Sequence, residues 1–100
     1  MDAFKAAEAF SAMGSESRLA VLRVLVQSGT KGLPVGQIQD RTGIPASTLA
    51  HHLKFLSGAG ILRQEKHGRS IINYAEFGHL EALADFILEE CCIDQDHSND

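Results

Sequence analysis

Two sets of side chains in this sequence are spaced to do chemistry. The first lies in residues 45–60, PASTLAHHLKFLSGAG. At about 100° per residue, Ser47, Ala50, His51, Lys54 and Gly58 share one helix face. Leu49, Leu53 and Leu56 share the other, with His52 at its edge. A solvated helix face usually carries paired Glu and Lys. This one carries small hydrogen-bonding groups, an imidazole and one ammonium, which suits a groove displaying base-edge donors and acceptors beside phosphates. Ser47, Thr48, Ala50, His51 and Lys54 are therefore candidate nucleic-acid contacts, against the plainer reading of a solvated surface. His52, at the apolar edge, reads as a core histidine bonded to backbone. His51 and His52 are not a metal pair, because neighbours on a helix point about 100° apart.

The second set is Cys91-Cys92, the only thiols in the chain. Adjacent residues rarely bridge each other, so a structural disulfide is a poor reading. Two thiols favour thiophilic metal ions and trivalent arsenicals, making such a species a candidate effector. Glu89 and Glu90 beside them oppose thiolate formation. The plainer reading is one buried thiol acting as a small hydrophobe with an incidental neighbour, and oxidant sensing is a third. A zinc site drawing on His79, Glu81 or His97 across a dimer lacks a clear ligand spacing. No cofactor is obligatory. With no Gly-rich phosphate loop and no Ser/His/acid arrangement, an enzyme is the weaker class.

Charge distribution supports a polyanionic partner although the net charge is −4. Residues 1–40 are neutral; in residues 41–70, Arg41, Lys54, Arg63, Lys66 and Arg69 face Glu65 alone, a net +4; residues 71–100 carry −8. A basic middle beside an acidic end is an electrostatic footprint. One hundred residues, 44% of them apolar, make one domain with a small core, so a partner subunit is expected. No run approaches the roughly 20 apolar residues of a membrane span, and the N-terminus lacks a signal-peptide layout. A cytoplasmic location is expected.

The elements that position these residues can be read in order. Residues 2–13 form an Ala-rich helix whose Phe4 and Phe10 pack on the body or on a second subunit. Gly14 breaks it, Ser15 caps the next, and residues 18–28 form a helix with Leu19, Leu22 and Leu25 inward. Residues 29–32 are a loop. Pro34 starts a helix over residues 35–42 with Val35 and Ile38 inward and Gly43 past its end; Gln37 on it is a candidate phosphate contact. Residues 43–45 turn into the helix described first, which Gly60 stops. This pair is a helix-turn-helix. Residues 61–66 and 71–75 form a β-hairpin around residues 67–70, a wing with Arg69 at its tip and Lys66 and His67 alongside. A last helix spans residues 77–92, with Cys91 in its apolar stripe. The fold class is mainly α with a small β-hairpin, a winged helix-turn-helix of order α-α-α-α-β-β-α. It covers residues 1–92 with dimerisation helices at both ends, and residues 93–100 are a polar tail.

Ser17-Arg18-Leu19, Ser47-Thr48-Leu49-Ala50-His51-His52-Leu53, Leu56, Ala59-Gly60-Ile61-Leu62, Gly68-Arg69 and Tyr74 together resemble the ArsR family of winged-helix repressors, over nearly the whole chain. The resemblance implies a homodimer, made by the first and last helices, that binds double-stranded DNA at an inverted repeat and leaves it when an effector binds. Pro45 stands where the family usually has a Ser or similar cap. The family's thiol motif before the recognition helix is absent, since residues 35–43 contain no Cys. Some arsenic-responsive relatives instead carry vicinal cysteines at the end of the last helix, an arrangement to which Cys91-Cys92 is similar. A regulator with a redox or non-metal signal, and a winged helix that binds protein and not DNA, are the alternatives.

Overall fold

Each helix boundary has a local cause. The computed structural model describes residues 1–95. Helix α1 (Ala3–Met13) is capped by Asp2, whose carboxylate accepts from the Lys5 N–H at 2.8 Å. Helix α2 (Glu16–Gln27) is capped by the Ser15 hydroxyl, which accepts from the Arg18 N–H at 3.1 Å. A 3₁₀ turn (Gly29–Lys31) and a two-residue strand β1 (Leu33–Pro34) lead into α3 (Val35–Thr42). Gly43, at φ +71, ends α3 by donating to the Gln39 carbonyl. Helix α4 (Ala46–Gly58) is followed by strands β2 (Leu62–His67) and β3 (Ser70–Ala75) and by α5 (Phe77–Leu88).

The expected order lacks β1. The sheet has three antiparallel strands in the order β1-β3-β2, with Leu33 opposite Asn73 and Gln64 opposite Asn73 on the other side. Asn73 is fully buried at this junction. Its Nδ2 donates to the Leu33 carbonyl at 3.1 Å and its Oδ1 accepts from Gln64 Nε2 at 2.8 Å. One satisfied amide thus ties the base of the hairpin to the strand before α3, as a buried polar group requires.

The core gathers α2, α3, α4 and the sheet around Val21, Leu25, Ile38, Leu49, Leu56 and Ile61. Burying each of these side chains is worth about 1.5–3 kcal/mol. Two expected inward positions are exposed. Leu19 is 43% exposed because the buried arc of α2 runs from Val21 through Leu25 to Leu22. Leu19 lies about 60° beyond its edge. Val35 is also 43% exposed, as the first residue of α3, and leaves Ile38 as the buried side chain of that helix. In α1 the body is faced by Ala6, Ala9 and Ala12, while Phe4 and Phe10 point away from it.

The last helix is shorter than the 77–92 expected. Glu89 leaves helical geometry and Glu90 takes φ +62. Carboxylates at a helix C-terminus oppose its macrodipole, and no basic residue occupies the last turn. Cys91 is consequently not in an apolar stripe: both cysteines are exposed. Of the expected tail, residues 96–100 and the candidate His97 lie outside the described residues. No helix among the described residues is long and apolar enough to cross a membrane.

Candidate nucleic-acid interface

Helix α4 buries Leu49, Leu53 and Leu56 and exposes Ser47, Thr48, Ala50, His51 and Lys54. Pro45, at φ −58 and ψ 148, occupies the cap position, and its carbonyl accepts from Leu49 N at 2.9 Å. No side chain caps the first N–H groups of α4, which are left without an intrahelical partner. At the other end Gly60 N donates to the Ser57 carbonyl and Ile61 N to the Leu56 carbonyl, with Gly60 at φ +81. That pair of bonds is a Schellman cap, sealed by the buried Leu56 and Ile61. The cap sets the direction in which the chain leaves for the wing.

The wing is a hairpin joined by Gly68 and Arg69, with Gly68 at φ +64. Lys66, His67 and Arg69 are exposed on it, and Gln37 is exposed on α3. On one face of the hairpin, Arg63 pairs with Glu65 and Glu76, both at 2.7 Å, and its guanidinium lies 4.4 Å over the Tyr74 ring. His67 Nε2 sits 3.2 Å from Glu65 and 3.4 Å from the Tyr74 hydroxyl. Arg63 therefore braces the wing and adds little to the positive field. Among the described residues no carboxylate pairs with Lys54, Lys66 or Arg69.

His52 is half-buried and has no hydrogen-bond partner among the described residues, contrary to the backbone-bonded histidine expected. Burial pushes its pKa below 6.5, with the charges of Arg18 and His51 adding to the shift. Below that pH the unfolded chain binds a proton that the folded chain resists, so the stability present above 6.5 is lost as the pH falls from there through the lower folded-state value. Urea melts on either side of this pH are expected to show the loss, and His52→Gln to reduce it. An unchanged pH slope in that variant contradicts the assignment. Among the described residues, a buried orphan atom belongs to another imidazole, His79, whose Nε2 lacks a partner and whose ring lies against Gly60.

Sequence reasoning missed Arg18. Its Nε donates to the Ala12 carbonyl, a terminal nitrogen to the Ser11 carbonyl at 3.4 Å, and its guanidinium lies 5.2 Å over Phe55. One side chain thus closes the C-terminus of α1 and reaches α4. Arg18 sits three residues after a capping Ser and near a helix end, a signal consistent with such a role.

The thiols lie beyond α5, where Cys92 takes φ +67 and its Sγ comes within 2.7 Å of Cys91 Sγ. The contact with Cys91, and then desolvation, raise the Cys92 pKa, so this thiol favours the protonated form. Among the described residues no three His, Cys, Asp or Glu side chains converge on a metal position.

The family model for the helix-turn-helix domain matches residues 13–65. The HTH-type transcriptional regulator MJ1325 of Methanocaldococcus jannaschii is 41% identical over 64 residues, 64% of this chain and 70% of that protein. An ArsR-like transcriptional regulator from Rhodococcus sp. RHA1 superposes with a TM-score of 0.76 at 26% identity, covering 90% of this chain and 81% of its own. A homodimeric winged helix-turn-helix DNA-binding domain from Mycobacterium bovis, described as a possible ArsR-family regulator, superposes at 0.68 and 22% identity, covering 93% and 85%. These relatives are transcriptional regulators, not enzymes. With a recognition helix capped at Gly60, a braced wing and this kinship, the chain belongs to the helix-turn-helix family of transcriptional regulators, in its ArsR-like winged form.

Proposed function

We propose that the chain is a homodimeric repressor that places α4 of each protomer in successive major grooves of an inverted-repeat operator, about 34 Å apart. The observation that carries this reading is the exposed polar face of α4, bounded by three buried leucines and followed by a cationic wing tip. Ser47, Thr48, Ala50 and His51 take the base edges, and Gln37, Lys54, Lys66, His67 and Arg69 the phosphates and sugars.

Dimerisation is supported by the apolar side chains that α1 and α5 leave open: Phe4 is 77% exposed, Ile87 62% and Leu88 65%. The homodimeric state of the Mycobacterium bovis domain is in keeping with it. Sedimentation is expected to give a dimer at micromolar concentration, and Ile87→Glu a folded monomer with weakened operator binding. A wild-type monomer under those conditions overturns the dimer.

For the effector we propose a trivalent arsenical, or another thiophilic species, at Cys91 and Cys92. The adjacency of two exposed sulfurs supports it. With a monosubstituted arsenical carrying two hydroxyls, each thiol proton leaves with a hydroxyl as water, so the raised Cys92 pKa is no barrier to the condensation. Binding would order the turn after α5 and shift the dimer angle, a two-state element of the kind release requires. The Cys91→Ser, Cys92→Ser double variant is expected to keep DNA binding and lose release by the arsenical. Release that persists in the double variant removes the thiols from the account.

A further inference from the structure

The groove between α1 and α4 is given no ligand in the reading above, which uses only His51 and Lys54 of its lining. It encloses about 570 Å³, within the roughly 300–1,000 Å³ typical of small-molecule sites. Ala12 and Phe55 give it an apolar floor, and Phe55 is 60% exposed there. Arg18, His51 and Lys54 line it against a single carboxylate, Glu8. The bonds that hold the Arg18 guanidinium over Phe55 go to neutral carbonyls, which fix its place without cancelling its charge.

From this juxtaposition we infer that the groove binds an amphipathic organic anion, a flat ring bearing one carboxylate, with the ring on Phe55 and the carboxylate toward Arg18 and Lys54. A neutral aromatic leaves the cations uncompensated, and an inorganic anion leaves Phe55 uncovered, so neither matches both halves of the groove. His51 and Lys54 also belong to the proposed DNA-facing set. An occupied groove therefore draws on two side chains that the duplex needs, and ligand and DNA weaken each other by the same factor.

Calorimetry on the full chain without DNA tests the site, with 2-naphthoate as the probe and 2-naphthamide as its uncharged counterpart. Naphthoate is expected to bind saturably, one per chain, and the amide at least about tenfold more weakly. Phe55→Ala and Lys54→Gln are each expected to weaken naphthoate by about tenfold, and Glu8→Gln to strengthen it. All three positions are exposed, and thermal melts verify that the variants are folded. Absence of saturable binding, as when a second copy of the chain fills the groove, overturns the proposal. So does an amide as tight as the acid, or folded Phe55→Ala and Lys54→Gln variants that bind like the parent. Loss of duplex binding with naphthoate binding retained counts against the repressor reading alone.

Discussion

Gly32→Ala is expected to lower the unfolding free energy by about 3 kcal/mol or more. Gly32 is buried at φ +68 and ψ 179, a region that essentially only glycine enters. A Cβ there would stand 2.6 Å from two carbons of the Tyr74 ring and 2.7 Å from the Asn73 carbonyl oxygen. Neither neighbour can retreat cheaply. Asn73 is locked between Leu33 and Gln64, and the Tyr74 ring carries Arg63. For a domain of this size the loss corresponds to a fall in melting temperature of roughly 12 °C or more. Tyr74 also braces the wing, so duplex affinity should fall along with stability. A melting temperature within about 2 °C of the parent contradicts this packing.

The second large effect concerns sequence discrimination. Ser47→Ala and His51→Ala each remove a polar group proposed to meet a base edge, a contact worth about 1–3 kcal/mol of discrimination. Against a site selected from random duplexes with the parent protein, each variant is expected to lose about tenfold in the ratio of specific to non-specific affinity. Affinity for random duplex should change little, because phosphate contacts supply it. Both side chains are exposed, so melting temperatures should stay near the parent value. If both variants keep the parental ratio, α4 does not read the bases.

The sequence disclosed most where local chemistry and burial agree. Pro34 and Gly43 bound α3 as expected, and the leucine stripe of α4 and its stop at Gly60 are as the spacing implies. Each of these follows from a residue acting on its own neighbours. The departures arise where distant contacts or weak local signals decide. Strand β1 is two residues long and exists because Asn73 and Ile72 lie opposite it, forty residues away, which no periodicity reports. Leucine spacing alone does not fix which arc of α2 is buried, so Leu19 was not separable from Leu22. Helix α5 carries an apolar pattern past Leu88, but two carboxylates at its negative end terminate it and place the thiols in a turn. In the candidate interface, residue type and helical phase mark the α4 face. The second carboxylate on Arg63 comes from Glu76, thirteen residues on, and is visible only in three dimensions.

In the proposed complex, α4 and the wing engage duplex DNA through their exposed side chains. The most direct test is the salt dependence of binding to a labelled duplex, followed by fluorescence anisotropy for the parent chain and Arg69→Ala. The expected result is a log–log slope near −0.9 for each phosphate engaged, steep in the parent and shallower by about one in the variant. A slope near zero, or no duplex binding at low salt, would contradict the account and leave a winged helix that binds protein instead.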